Sequence, residues 1–168
     1  MSEEPRIRRR ARLRNKEAKE LHDKLSANLG GATLWPESAA VETGEFQGRA
    51  LLLVDNVLVG LYDGAEPEGD PFLSVRGLLK FNPTARAVTV DMGAVKFVTN
   101  GADVMAPGIV EADPALKEGD WCWVRDERNK KPLAVGKCIV AGGTMVRGKG
   151  KAVKSIHYLG DKIWTLEA

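Results

Sequence analysis

The sequence predicts an α+β protein with a small α/β N-terminal domain, residues 1–83, followed by a β pseudo-barrel, residues 84–168. Three observations carry this prediction: an early stretch with helical apolar spacing, two apolar runs that flank an Asp-Asn pair, and a second half of short strand-like runs with one short helical segment. With 168 residues, 43% of them hydrophobic, the chain has enough apolar side chains to build a real core.

The N-terminal domain begins with an arm and a helix. Residues 1–14 predict a flexible or strand-like arm. Asn15 is expected to cap a helix that starts at Lys16 and ends at the Gly30-Gly31 pair. Since the arm has no apolar periodicity, its removal is expected to leave both cores folded. The apolar face of the helix consists of Ala18, Leu21, Leu25 and Leu29.

A hairpin and a second helix complete this domain. The apolar runs Ala50–Val54 and Val57–Tyr62 are separated by Asp55-Asn56, which is a two-residue turn signal. A shorter strand near Ala39–Glu42 is expected to join them. After an acidic loop, Ser74 is the expected cap of a short helix that ends at Asn82-Pro83, and the domain boundary is placed there.

The second domain is predicted as short strands around one short helix. Its helix is expected to have an apolar face of Val95, Phe97 and Val98 and to stop at Gly101. Many short strands favour a closed or nearly closed barrel, which leaves few exposed edges. The expected strands are Ala87–Val90, Ile109–Ala112, Trp121–Arg125 and Leu133–Val140, followed by a basic loop, Thr144–Lys154, and a closing hairpin of Ile156–Leu159 with Lys162–Leu166.

The net charge of +2 conceals a segregation along the chain. Arg6–Lys16 holds seven basic residues and Arg128–Gly160 holds eight, and neither segment contains an acidic residue. All 23 acidic residues therefore lie elsewhere. Two acid-free basic tracts on an otherwise acidic chain favour a surface that binds a polyanion.

Two motifs resemble one known family. DMGAVKFVTNGADVMAPGI at 91–109 and IHYLGDKIW at 156–164 are similar to the PUA domain, an RNA-binding module. The similarity is closest to the malignant T-cell-amplified sequence family and its stand-alone archaeal homologues, which are related to ligatin. It covers the second half of the chain strongly and the first half in outline, and it implies that the predicted barrel is of the PUA type.

The resemblance also implies an RNA-binding surface, built from the short helix, the glycine-rich loop after it and the final strands. Small residues in the loop would allow close approach of RNA, and lysine and arginine would neutralise phosphate. Tryptophans 121, 123 and 164 are interpreted as packing. The expected RNA-binding residues are Lys96, Asn100, Gly101, Ala102, Asp103, Met105, Pro107, Gly108, Arg147, Lys149, Lys151, His157 and Tyr158, with a basic arm of Arg6, Arg8, Arg9, Arg10, Arg12 and Arg14.

Other chemistry has little support in the sequence. There is no GxSxG, Walker or HExxH motif, so we expect no enzyme activity and no cofactor. Cys122 and Cys138 lack metal-ligand spacing, so no metal site is predicted, and both are interpreted as small buried side chains. No apolar stretch approaches the length of a membrane span, and the arginine-rich start lacks a signal's apolar region. A cytoplasmic protein without a membrane partner is therefore expected.

The resemblance implies a non-catalytic RNA-binding protein of translation that contacts the tRNA acceptor end, the small ribosomal subunit or both, in initiation or recycling. A density-regulated-type protein is the implied partner. One alternative is a detached RNA-specificity subunit of a tRNA-modifying enzyme, of the transglycosylase or pseudouridine synthase type. Another is a protein-interaction adaptor without RNA binding.

Overall fold

A computed structural model of the chain describes residues 6–166. The chain divides into two compact units, one formed by Met1–Pro83 with Thr165–Ala168 and the other by Thr84–Trp164. The sequence-based boundaries differ in one respect, since they assign the residues from Thr165 onward to the second domain. No helix within residues 6–166 is long and apolar enough to cross a membrane.

The first unit is an antiparallel meander with two helices. Its five strands pair in chain order, β1-β2-β3-β4-β5, so each strand lies beside its sequence neighbour. The elements are β1 (Arg8–Arg12), α1 (Asn15–Asn28), β2 (Val41–Phe46), β3 (Arg49–Val54), β4 (Val57–Leu61), β5 (Phe72–Leu73) and α2 (Val75–Phe81).

Local sequence signals account for most of this meander. Asp55 and Asn56 both have positive φ, 48° and 67°, as a tight two-residue turn requires, and the predicted hairpin is confirmed. The side chain of Ser74 accepts a hydrogen bond from the Gly77 N–H at 3.1 Å, which confirms the predicted cap of α2. At α1 the prediction is one residue off, because Arg14 occupies the N-cap position and Asn15 is already helical.

The basic arm is strand-like where the structure describes it. Strand β1 forms the edge of the sheet and pairs with β2, with a bulge at Arg9, whose φ is 51°. Arg10 donates two hydrogen bonds to Glu42, each 3.0 Å long. Ile7 is 9% exposed and packs against Gly44. Removal of residues 1–14 would thus delete a strand and a buried side chain, which corrects the expectation that the arm is dispensable for packing. Its first five residues lie outside the described range.

The second unit contains six strands and one α-helix. Its sheet has the order β7-β11-β10-β9-β6-β8, and all neighbours are antiparallel except β6 and β9. The elements are β6 (Ala87–Val90), α3 (Met92–Val98), β7 (Val104–Met105), β8 (Ile109–Ala112), β9 (Trp121–Asp126), β10 (Pro132–Cys138) and β11 (Lys151–Tyr158), with short 3-10 turns at Ala106–Gly108 and Gly142–Thr144.

The sheet closes almost completely into a barrel, as predicted. Its edge strands β7 and β8 are consecutive in the chain and are joined by the single turn Ala106–Gly108. Additional backbone hydrogen bonds tie this region together, since Ala106 N donates to Gly150 O at 2.8 Å and Arg147 N donates to Ile109 O at 3.1 Å. Inward-facing Val88, Val124 and Ala134 belong to the core that fills the barrel.

The predicted closing hairpin is wrong. Strand β11 starts at Lys151, inside the expected basic loop, and Lys162–Thr165 forms turns rather than a strand. The partners of β11 are β10 and the short strand β7, which the sequence did not predict. The physical reason lies in the side chain of Asp161, which accepts hydrogen bonds from the backbone of Tyr158 and Trp164 and so folds the chain into a turn.

We predict that Ile7→Ala destabilises the protein by about 2 kcal/mol, because it removes most of a buried side chain from the edge of the first sheet. The measurement is chemical denaturation of the full chain. Arg6→Ala is the matched control, since Arg6 is exposed and adjacent. Equal stability of the Ile7→Ala variant and the wild type would show that β1 contributes no packing.

Candidate nucleic-acid interface

A groove opens on the second unit between α3 and the chain that joins β7 to β8. Its volume is about 670 Å³. We call it the α3 groove. Its lining combines small residues, two large apolar side chains, two carboxylates and one lysine: Asp91, Gly93, Ala94, Phe97, Val98, Ala102, Asp103, Val104, Met105, Pro107, Gly108 and Lys151.

Helix α3 is fixed at both ends by its own sequence. Asp91 is the N-cap, and its Oδ1 accepts a hydrogen bond from Ala94 N at 3.0 Å. At the other end Gly101 has a φ of 90°, the left-handed conformation expected of a helix stop. A side chain at Gly101 would also collide with the Tyr158 ring, because an added Cβ would lie 2.7 Å from Cε1. Gly101 is therefore required by the packing of the unit.

Two apolar side chains stand exposed at the α3 groove. Phe97 is 57% exposed and Met105 is 47% exposed, whereas the neighbouring Val104 and Val98 are buried. The predicted helix face is thus wrong for Phe97: Val98 enters the core and Phe97 faces outward. Exposed aromatic and thioether groups next to a groove are a typical platform for an unpaired nucleobase.

The basic side chains at the α3 groove are paired with carboxylates. Arg147 Nη1 lies 2.9 Å from Asp91 Oδ2 and also donates to the carbonyl of Pro107 at 2.6 Å. Lys151 Nζ lies 3.3 Å from Asp103 Oδ2. Lys149 is exposed on the loop between them in sequence. The sequence named all three cations and Asp103, but it missed Asp91 and both pairings.

The structure thus brings together about half of the predicted RNA-binding residues. Lys151 and five residues of the glycine-rich segment line the α3 groove, and Arg147 lies at its Asp91 end. Lys96 in the last turn of α3, and Asn100 and Gly101 just after the helix, do not line the groove. Tyr158 is half-buried against Gly101. The groove residues that sequence reasoning missed are Asp91, Gly93, Ala94, Phe97, Val98 and Val104.

His157 is not a surface residue. Its side chain is 1% exposed, and Nδ1 lies 2.8 Å from Asp161 Oδ2. It therefore has no surface to offer RNA and is corrected to a structural residue that holds the turn after β11. Burial is the largest single effect on Asp161 and raises its pKa. The hydrogen bond from His157, the charge of His157 and two backbone hydrogen bonds each lower the pKa, and together they outweigh burial, so the pKa of Asp161 is lowered.

Two of the three tryptophans with a predicted packing role are buried, and Trp164 is half-buried. Trp121 and Trp123 are buried, and Trp123 Nε1 donates to Ala85 O at 2.8 Å. Both cysteines are buried, as the sequence indicates. Among residues 6–166 no three His, Cys, Asp or Glu side chains are grouped in a way that could hold a metal ion.

A nearly closed six-stranded barrel with a groove beside its one α-helix is the architecture of a PUA domain, and the PUA domain family matches residues 86–159. An uncharacterised protein of Methanocaldococcus jannaschii is 38% identical over 96% of this chain and 98% of its own length. The crystal structure of a hypothetical protein from Pyrococcus horikoshii OT3 is also similar, with a TM-score of 0.82 and 35% identity over 95% of this chain and 99% of that one.

Eukaryotic relatives match over a shorter span. Translation machinery-associated protein 20 of Saccharomyces cerevisiae is 32% identical over 54% of each chain. Malignant T-cell-amplified sequence 1-B of Xenopus laevis is 30% identical over 60% of this chain and 58% of its own length. The chain thus covers little more than half the length of these eukaryotic relatives. It belongs to the PUA-domain proteins, and its relatives include stand-alone archaeal proteins and malignant T-cell-amplified sequence proteins.

We predict that acidification weakens the turn after β11. Because the folded pKa of Asp161 lies below its ordinary value near 3.8, its ionised form stabilises the folded state above that pH, and the contribution is lost as the pH falls through the folded pKa. The difference in melting temperature between wild type and Asp161→Asn should therefore be largest above pH 3.8 and should shrink as the pH falls below that value. A difference that is unchanged by acid would show that the carboxylate charge is irrelevant to this turn.

Proposed function

We propose that this protein is a non-catalytic RNA-binding protein of translation. The observation that carries the proposal is the α3 groove, which is lined by exposed Phe97 and Met105 and by Lys151, with Arg147 bound to Asp91 of the same lining. Apolar surface suits nucleobases and cations suit the phosphates that join them. The family membership supports the same conclusion, because the relatives include proteins named for association with the translation machinery.

The ligand that suits the α3 groove best is an unpaired RNA segment. The volume of the α3 groove, about 670 Å³, lies within the range of small-molecule pockets, about 300–1,000 Å³. Unpaired nucleotides can splay their bases onto aromatic and apolar side chains, whereas stacked bases of a duplex cannot. A single-stranded end attached to a structured RNA fits this description, and we propose the acceptor end of tRNA as the physiological case.

The finer role is the one that the resemblance to the malignant T-cell-amplified sequence family implies. We propose that the protein works in the cytoplasm at the small ribosomal subunit, in initiation or recycling, with a density-regulated-type partner. The first unit supplies a second basic surface, since the side chains of strand β1 are exposed along its whole length. Arginine side chains of this kind bind phosphate through paired hydrogen bonds.

RNA crosslinking in cells, followed by sequencing of the bound RNA, tests the proposed role. We expect tRNA 3′ ends and small-subunit ribosomal RNA to be enriched over an uncrosslinked control. A single set of tRNAs that copurifies with a catalytic subunit would instead indicate a specificity subunit of a modifying enzyme. Recovery of no RNA would contradict the proposed function.

We predict that Gly93→Leu blocks RNA binding without unfolding the protein. Gly93 lines the α3 groove, is exposed, and has room for a side chain, since the nearest neighbour of an added Cβ is Asp91 Oδ1 at 3.5 Å. This is a cleaner test than Gly108, where an added Cβ would lie 3.1 Å from the Cβ of Ala94. The dissociation constant for a single-stranded RNA oligonucleotide should rise at least about tenfold, the equivalent of one lost stacking interaction.

Gly143→Leu is the matched control for this substitution. Gly143 is exposed in the same unit, lies outside the α3 groove, and has no neighbour within 4 Å of an added Cβ. We expect the control to bind RNA like the wild type, and both variants to keep the melting temperature. If folded Gly93→Leu binds RNA as tightly as the control, the RNA-binding surface lies elsewhere.

A further inference from the structure

The two cations at the α3 groove already hold negatively charged partners. In each pair a carboxylate divides its two oxygens between separate tasks. Oδ1 of Asp91 accepts the Ala94 N–H at 3.0 Å, and Oδ2 lies 2.9 Å from Arg147 Nη1. Oδ1 of Asp103 accepts the Ser155 N–H at 3.0 Å, and Oδ2 lies 3.3 Å from Lys151 Nζ. One oxygen secures the backbone while the other neutralises the cation.

Both carboxylates bind the cations through an anionic oxygen, as a phosphate would. They are 28% and 29% exposed and line the groove, while Arg147 and Lys151 are 57% and 62% exposed at their sides. A carboxylate and a phosphate offer a cation the same kind of acceptor, an anionic oxygen. A phosphate that binds either cation must therefore compete with a carboxylate that is tethered beside it at high effective concentration.

We propose that Asp91 and Asp103 act as intramolecular substitutes for RNA phosphate. The two carboxylates hold Arg147 and Lys151 in place until the phosphates of a single-stranded RNA displace the carboxylates. The inference rests on the proposed function and adds two residues that set RNA affinity without contacting RNA. They keep the cations ordered at the groove when it is empty. They also lower the affinity, because each carboxylate offsets the charge of its cation and occupies a donor for which a phosphate must compete.

The exchange has a consequence for salt dependence. Phosphate neutralisation by a free cation releases counterions, and for single strands this contributes a slope of about −0.7 per phosphate to log K against log salt. When the cation comes from an internal pair, the freed carboxylate takes up a cation from solution and offsets part of that release. RNA binding by the wild type should thus depend less on salt than the number of basic side chains at the α3 groove suggests.

The substitutions that test this are Asp91→Asn and Asp103→Asn. Asparagine keeps an oxygen that can accept the Ala94 or Ser155 N–H, so the cap and the strand contact persist while the negative charge disappears. We expect each variant to bind a fluorescent single-stranded RNA oligonucleotide about two- to fivefold more tightly than the wild type, as loss of a competing surface ion pair implies. The salt slope should steepen by up to about 0.7 per variant.

Double-mutant cycles show whether the gain comes from the pairs. In an Arg147→Ala background Asp91→Asn should give no gain in RNA affinity, whereas in a Lys151→Ala background it should give its full gain. Asp103→Asn should give no gain in the Lys151→Ala background and its full gain in the Arg147→Ala background. Glu118→Gln is the control for net charge, because Glu118 is an exposed carboxylate of the same unit outside the groove. Melting temperatures establish that all variants are folded.

The possible results separate the inference from the proposed function. Weaker or unchanged RNA binding by the two asparagine variants would overturn the inference, because the carboxylates would then contact RNA or play no part. A gain that persists without its partner cation, or one matched by Glu118→Gln, would overturn it too. Failure of the wild type to bind any RNA at low salt would instead contradict the proposed function.

Discussion

The side chain of Asp91 is the contact on which the α3 groove depends. One carboxylate oxygen caps α3 by accepting the Ala94 N–H, and the other binds Arg147. The backbone N–H of Asp91 donates to the carbonyl of Gly108 at 2.9 Å. One residue at the end of β6 thus positions the helix, the turn that joins the two edge strands, and the loop that precedes β11. Because the helix and the turn both line the groove, its shape depends on the residue at which β6 ends.

Closure of the barrel explains why a groove forms at this place. The edge strands β7 and β8 are short, and the turn Ala106–Gly108 joins them directly, so few unpaired backbone groups are left exposed at an open edge. The turn cannot carry bulky side chains inward, since Ala106 is buried in the core. Pro107 and Gly108 of the turn line the groove together with the exposed side chains of Phe97 and Met105.

Sequence alone predicted the elements whose signals are local. The Asp55-Asn56 turn, the Ser74 cap and the Gly101 stop each depend on residues within a few positions, and the structure confirms all three. The closing hairpin failed because its apolar residues resemble a strand, while the decisive interaction is a side-chain hydrogen-bond network around Asp161. In the same way the short strand β7 exists only because β11 lies beside it.

The candidate site was harder to predict than the fold. Arg147 and Asp91 are 56 positions apart, and Lys151 and Asp103 are 48 positions apart, so no local pattern reveals that the groove's cations are neutralised. Outward orientation of Phe97 is also invisible, because the sequence favours placing every apolar residue of a short helix in the core. What the sequence did supply was the set of small residues and basic residues from which the groove is built.

Charge segregation along the chain therefore overstates charge segregation in space. Carboxylates from outside the two basic tracts fold back onto them: Glu42 binds Arg10 and Asp91 binds Arg147. Asp103 and Glu111 do the same for Lys151 and Lys130. An RNA that approaches this protein meets a weaker field than fifteen clustered basic residues would create, because several of them are already compensated. Under the proposed function, discrimination among RNAs would then depend largely on the shape and apolar surface of the α3 groove, which suit unpaired nucleotides.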